Sequence, residues 1–214
     1  MKPLRRHLIA ALATGDASTR LKAALSIGSH PEPDLVDTLM AQCAIEPDFY
    51  TRDMLTWALT RLPSDITVPR LLAELRSECA QARSQALHTL SKIKDPSAWP
   101  AITQSLLCDP DDEVARSAWR AAVVLVPDGQ KNDLAEELAA QLGRGDSEMQ
   151  LSLSRALVAL GEEVAGPALR KVMVCGNPAV HAHASATERL LRDPDAGSEN
   201  AVNEAKRIFA LGRE

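Results

Sequence analysis

Two sets of residues in this sequence have types and spacings that could carry chemistry. The first is a recurrent aspartate and arginine pair: Asp16 with Arg20, Asp48 with Arg52, Asp112 with Arg116, and a weakened Asp146 with Gln150. A carboxylate one helical turn before a guanidinium could belong to a catalytic site or to a structural ladder. The second set is the histidines, His7, His30, His88, His181 and His183. Only the last two are close, and on a helix their spacing sets them about 200° apart. That is wrong for two ligands of one metal, and a polar turn surface near the C-terminus is the expected setting. The acidic pairs Asp111-Asp112, Glu136-Glu137 and Glu162-Glu163 fall at expected helix starts or on solvated faces, where capping and the helix dipole explain them. Cys43, Cys79, Cys108 and Cys175 make no closely spaced pair, so small buried thiols near helix ends in a reducing cytoplasm are expected. There is no P-loop, dinucleotide fingerprint, zincin or nucleophile-elbow motif. The sequence therefore assigns no catalytic residue, metal or cofactor.

The elements that carry these residues follow from composition and period. Of 214 residues, 45% are hydrophobic but only 3% aromatic, so the core must be built from Leu, Ala and Val. That composition suits thin layers of close helices better than a β-sandwich. The net charge of −5 and the pI near 5.6 lack the basic footprint of a phosphate-gripping protein. The apolar run Leu8 to Ala13 is shorter than a signal-peptide core, so residues 3–13 are read as an opening helix and a cytoplasmic location is expected.

Self-similarity at about 32 residues decides the architecture. Arg20, Arg52, Arg83, Arg116 and Gln150 follow one another at spacings of 32, 31, 33 and 34. Three residues after each anchor stand Ala23, Leu55, Ala86, Trp119 and Leu153, and seven after it Ile27, Leu59, Leu90, Val123 and Leu157. These offsets trace one face of an α-helix, here helix A. Small residues at offset six (Ser26, Ala58, Thr89, Ala122, Ala156) let neighbouring helices approach. Pro31, Pro63, Pro127 and Gly161 end helix A. A helix B follows, with Pro33, Pro69, Pro100 and Pro167 expected in its first turn and an apolar face that includes Leu35, Leu71, Ile102, Leu134 and Leu169.

The unit is thus helix A, turn, helix B. The predicted fold is an all-α, right-handed solenoid of about six antiparallel helix pairs in one continuous domain. Its copies span about 16–46, 48–77, 79–109, 112–143 and 146–176, with a degenerate cap over 177–214 that ends in a helix near 199–211.

The stretch from Asp109-Pro110-Asp111-Asp112 through Arg116 to Ala122 resembles the HEAT repeat in its short bacterial form, the phycobilin-lyase-type repeat. The resemblance covers essentially the whole chain. It implies that the aspartates and arginines form a polar ladder between repeats, and that function lies on residues that do not repeat. It also implies three functional classes. The first is a non-enzymatic protein-binding scaffold. The second is nucleic-acid chemistry, as in the HEAT-like alkylpurine DNA glycosylases. The third is help in cofactor attachment, as in the bilin lyases.

In such arrays the B helices line the concave side. The face of helix B opposite its apolar positions selects Asp37, Arg70, Glu74, Gln104, Glu136, Glu137 and Lys171 as candidate partner contacts. Acids predominate among the residues of that face, so a basic or mixed-charge protein segment is the expected partner, with nucleic acid and membrane disfavoured. Trp57 and Trp99 are candidate aromatic anchors, and packing at turns is the ordinary alternative.

Overall fold

The computed structural model describes residues 3–13, 15–175 and 177–193, and they are helices joined by short turns. They pack as two compact units, Met1–Pro127 and Asp128–Glu214. The division falls inside the copy at 112–143, where the repeat pattern draws no boundary. The helix expected near 199–211 lies outside the described residues.

The first unit opens with α1 (Pro3–Ala13) and α2 (Ala17–Ser29), followed by α3 (Val36–Ile45), α4 (Phe49–Thr60), α5 (Ser64–Glu74) and α6 (Ala80–Ile93). It closes with a 3₁₀ segment (Pro96–Ala101), a single turn α7 (Gln104–Leu107) and α8 (Asp112–Leu125). The A helices α2, α4, α6 and α8 pack side by side in chain order. Helix α3 packs on α4, α5 and α6, α5 packs on α6, and α7 packs on α8. Every offset-three residue named above is buried, as is every offset-seven residue except half-buried Val123. Trp119, with no exposed surface, donates its indole N–H to the Leu107 carbonyl at 2.9 Å, which fixes α8 against α7. The buried ring satisfies its one polar atom while filling the core with a large apolar surface.

The second unit comprises α9 (Lys131–Ala139), α10 (Ser147–Leu160), α11 (Glu162–Cys175) and α12 (Pro178–Arg192). Helix α9 packs on α11, α10 on α12, and α11 on α12. Gly161 ends α10 with φ of +87°, a conformation that a side chain resists.

Several expectations are corrected. Of the four prolines expected in the first turn of helix B, only Pro33 opens a helical segment. Pro69 and Pro167 lie inside α5 and α11, which begin at Ser64 and Glu162 upstream of them, and Pro100 lies inside the 3₁₀ segment that precedes α7. Asp111, not Asp112, caps α8, accepting from the Glu113 and Val114 amides. Cys43 is buried, and desolvation pushes its thiol up to about 12, but Cys79 and Cys108 are exposed. His183 is no turn residue. It sits buried in α12, where Nδ1 accepts the Gly143 amide at 3.0 Å and Nε2 donates to the Gln150 carbonyl at 2.9 Å. Ser154 and Thr187 complete that network.

These contacts fix His183 as the neutral tautomer, and burial holds its pKa below the ordinary histidine value. The unfolded chain therefore takes up the proton first, and stability falls as pH drops below about 6.5. Urea midpoints of the second unit measured between about pH 7 and pH 5 should decline, and the decline should shrink in His183→Gln. A second outcome concerns Gly28 on α2. A methyl there would overlap Cζ3 and Cε3 of the Trp57 ring and stand 3.1 Å from the Ala58 Cα. Gly28→Ala should lower stability by about 1–3 kcal/mol in chemical denaturation, because the ring and backbone must move apart.

Candidate functional site

The conspicuous polar residues resolve into three arrangements. The aspartates cap helices: Asp16 accepts the Thr19 amide at 2.8 Å, Asp48 the Thr51 amide and hydroxyl, and Asp146 the Met149 amide. These bonds favour the charged carboxylate and hold Asp16 and Asp48 below their ordinary pKa.

Among the described residues, Arg20 and Arg52 form no ion pair with the caps Asp16 and Asp48. Arg20 grips Glu46, 26 residues later, through Nε at 2.7 Å and Nη2 at 2.8 Å. Arg83 grips Asp109, also 26 residues later, through Nε and Nη2 at 3.1 Å each. Both carboxylates are buried, and each also accepts the amide two residues on, from Asp48 and from Asp111. Both arginines reach carbonyls in the turn before their own helix, Arg20 that of Gly15 and Arg83 those of Ser77 and Glu78. Each clamp thus ties the start of one A helix to the link that leads into the next. The fork geometry suits a guanidinium and not an ammonium.

Glu46 lies just beneath the surface, closed to solvent. Arg20, the Asp48 amide and Gln42 together outweigh desolvation and hold its carboxyl below the usual range. Arg52 keeps only the turn contact of this pattern, donating to the carbonyls of Glu46 and Pro47. In sequence, the position 26 residues after Arg116 is Leu142, and Arg116 pairs with Glu113 on its own helix. The sequence reading missed Glu46 and Asp109. The signal was present as Glu46-Pro47-Asp48 and Asp109-Pro110-Asp111, the same tripeptide pattern at the same distance from Arg20 and Arg83.

The second arrangement is the candidate B-helix face. Asp37, Arg70, Gln104, Glu136 and Lys171 are exposed as expected, and Glu137 is half-buried. Arg70 pairs with Asp37 at 2.9 Å in the first unit, and Lys171 pairs with Glu136 at 2.7 Å in the second. Arg5 adds a similar contact to Asp34 at 3.1 Å. These pairs link successive copies, and at such exposure each stabilises by no more than about 1 kcal/mol. Glu74 departs from the expected set. It is half-buried beside Met40, Cys43 and Leu71, in the seam between α3, α5 and α6. Of the candidate anchors, Trp57 is half-buried across Gly28, and Trp99 is half-buried within the 3₁₀ segment.

The third arrangement lies on the A helices of the first unit and was not foreseen. Gln85 and His88 of α6 form the floor of a groove. Phe49 and Asp53 of α4 wall one side, Glu113 and Arg120 of α8 the other, around a cavity of about 110 Å³. A shallower hollow of about 280 Å³ over Gln81, Ser84 and Asp111 adjoins it, sharing Arg52, Gln85 and Glu113. At the mouth, Phe49 and Tyr50 are 66% and 71% exposed and meet edge to face at 5.6 Å. Burial, with the charges of Lys92 and Arg120, holds the His88 pKa below the ordinary value against the opposing pull of Asp53. Among the described residues no group of three or more His, Cys, Asp or Glu could hold a metal ion, and no helix is long and apolar enough to cross a membrane.

Residues 42–123, from the end of α3 to α8, match the family model for HEAT repeats. This stretch carries HEAT repeats. It contains Arg52, Arg83, Arg116 and both buried carboxylates of the clamps. No curated protein matches the chain. Among solved structures it is similar to an engineered protein, at 18% identity and a TM-score of 0.48, covering 87% of this chain and 97% of the other. It is also similar to the complex of CpcE and CpcF of phycocyanin lyase from Nostoc sp. PCC7120. There the identity is 23% and the TM-score 0.49, with 86% of this chain and 74% of that one covered.

The clamp predicts a specific pH response. Folding depresses the Glu46 pKa below its unfolded value, so its contribution is present above pH 4.5 and is lost as pH falls through the folded value. Glu46→Gln should lower the thermal midpoint by several degrees at neutral pH and flatten its decline in acid. An unchanged acid limb would show that Glu46 is not held as described.

Proposed function

We propose that the chain is a non-enzymatic, protein-binding repeat module that engages its partner through the exposed face of its B helices. The observation that carries this reading is the charge order on that face. In each unit, side chains from successive copies stand side by side with alternating sign, as Asp37 with Arg70 and Glu136 with Lys171. Repeat arrays offer extended surfaces of this kind to other proteins. Exposed ion pairs of little stabilising value can exchange their partners for those of an incoming chain at small cost. A basic or mixed-charge segment fits them, with its cations meeting Asp37 and Glu136 and its acids meeting Arg70 and Lys171.

The test is affinity purification with mass spectrometry on the full chain, comparing wild type with Asp37→Lys, Glu136→Lys and Glu137→Lys combined. These positions are exposed or half-buried, so the variant should fold. Wild type should retain a specific protein partner that the variant loses, and wild-type binding should weaken as salt is raised. An identical partner set on both would remove the B-helix assignment, and a wild type that retains no partner would contradict the binding role.

A further inference from the structure

The groove over α6 differs from the B-helix face in the sign and pairing of its charge. The whole chain carries −5. Around the groove, however, stand Arg52, His88, Lys92, Arg116 and Arg120, with Asp53 and Glu113 on the walls and Asp111 in the adjoining hollow. Glu113 is held by Arg116 at 2.9 Å, and Arg52 is turned to the Glu46 and Pro47 carbonyls. Arg120 donates Nε to the Arg116 carbonyl at 3.2 Å, one turn back along α8. Its two terminal amino groups have no acceptor among the described residues, and Lys92 has no carboxylate within ion-pair distance among them.

Solvent reaches Arg120, but the surrounding wall and the charge of Arg116 depress its guanidinium below the ordinary value. The carboxylate of Glu113 opposes this shift only in part, so the cation is incompletely compensated. A carboxylate arriving in the plane of the fork would form two charge-assisted hydrogen bonds at once. The same cavity is bordered by Phe49, which continues outward to Tyr50. Exposed aromatics beside an unpaired arginine are the residue types that dominate protein recognition.

We propose that the groove over α6 is a second docking site, and that its occupant is an acidic segment of a protein. One carboxylate of that segment bonds to the Arg120 fork with Lys92 close by, and a neighbouring apolar side chain lies against Phe49 and Tyr50. The cavity of about 110 Å³ admits a side chain and is small for a drug-sized ligand. The adjoining hollow over Gln81, Ser84 and Gln85 leaves a path for the backbone, to which the Gln85 amide can bond. Nucleic acid fits less well. Asp53, Glu113 and Asp111 interrupt the cationic strip that a phosphate backbone would track. The site is independent of the B-helix face, so either assignment can fail alone.

The test is selection of a random peptide library on the immobilised full chain, with Arg120→Glu as the counter-target. Selected peptides should combine Asp or Glu with apolar residues. They should bind wild type at least tenfold more tightly than Arg120→Glu, and weaken also with Lys92→Glu. Their titration should shift the amide resonances of Phe49, Gln85 and His88, and binding should persist in the Asp37, Glu136 and Glu137 variant. A thermal midpoint for Arg120→Glu close to wild type shows that the loss is not unfolding. Four results would overturn the proposal: no enriched sequence, enrichment of basic sequences, acidic peptides indifferent to Arg120→Glu, or displacement of the peptide by a single-stranded oligonucleotide of higher affinity.

Discussion

The bidentate grip of an arginine on a buried carboxylate, Arg20 on Glu46 and Arg83 on Asp109, is the contact on which the first unit depends. Each carboxylate sits in the link between a B helix and the next A helix, where the chain reverses and backbone amides lack helical partners. By accepting from the arginine and from the amide two residues on, it fixes where the next helix begins. The cap two residues later then holds the first turn of that helix. A buried carboxylate without its arginine would be strongly disfavoured. In the copy at 112–143 the equivalent sequence position is the apolar Leu142, and Arg116 is kept but pairs with Glu113 on its own helix.

This division of labour separates residues that hold the array from residues that remain exposed. Asp16, Asp48, Asp111 and Asp146 cap helices, and the anchor arginines serve the links. The B-helix charges pair across copies but remain exposed. The groove over α6 lies where Gln85 and His88 meet Phe49 and Asp53 of α4 and Glu113 and Arg120 of α8, and Arg120 is not enlisted in any clamp. In that sense the repeat builds the walls, and its non-repeating positions supply the side chains that line them.

Much of the fold was legible in the sequence, because the apolar offsets from each anchor arginine report one buried helical face directly. The A helices and the small-residue column follow from that pattern, and the opening helix from the short apolar run Leu8 to Ala13. The helix B starts were misplaced because proline is tolerated inside α5 and α11, and it was read only as a first-turn residue. The clamp was missed because its two ends are 26 residues apart, while the nearer Asp and Arg pair offered a local explanation. His183 looked like a surface residue because nothing local reports that the Gly143 amide and the Gln150 carbonyl converge on its ring. The groove was invisible for a similar reason. Phe49, His88 and Arg120 come from three copies and share no column of the repeat.

The most direct test of the central claim is a double-mutant cycle on Arg83→Met and Asp109→Asn, read as unfolding free energies by urea denaturation. If the clamp fixes the link, each single change is costly and the double variant recovers part of the loss. The coupling energy should then be about 1.5 kcal/mol or more, since both groups are largely withdrawn from water. Single changes that add to within about 0.5 kcal/mol would contradict it and reduce the pair to an incidental contact.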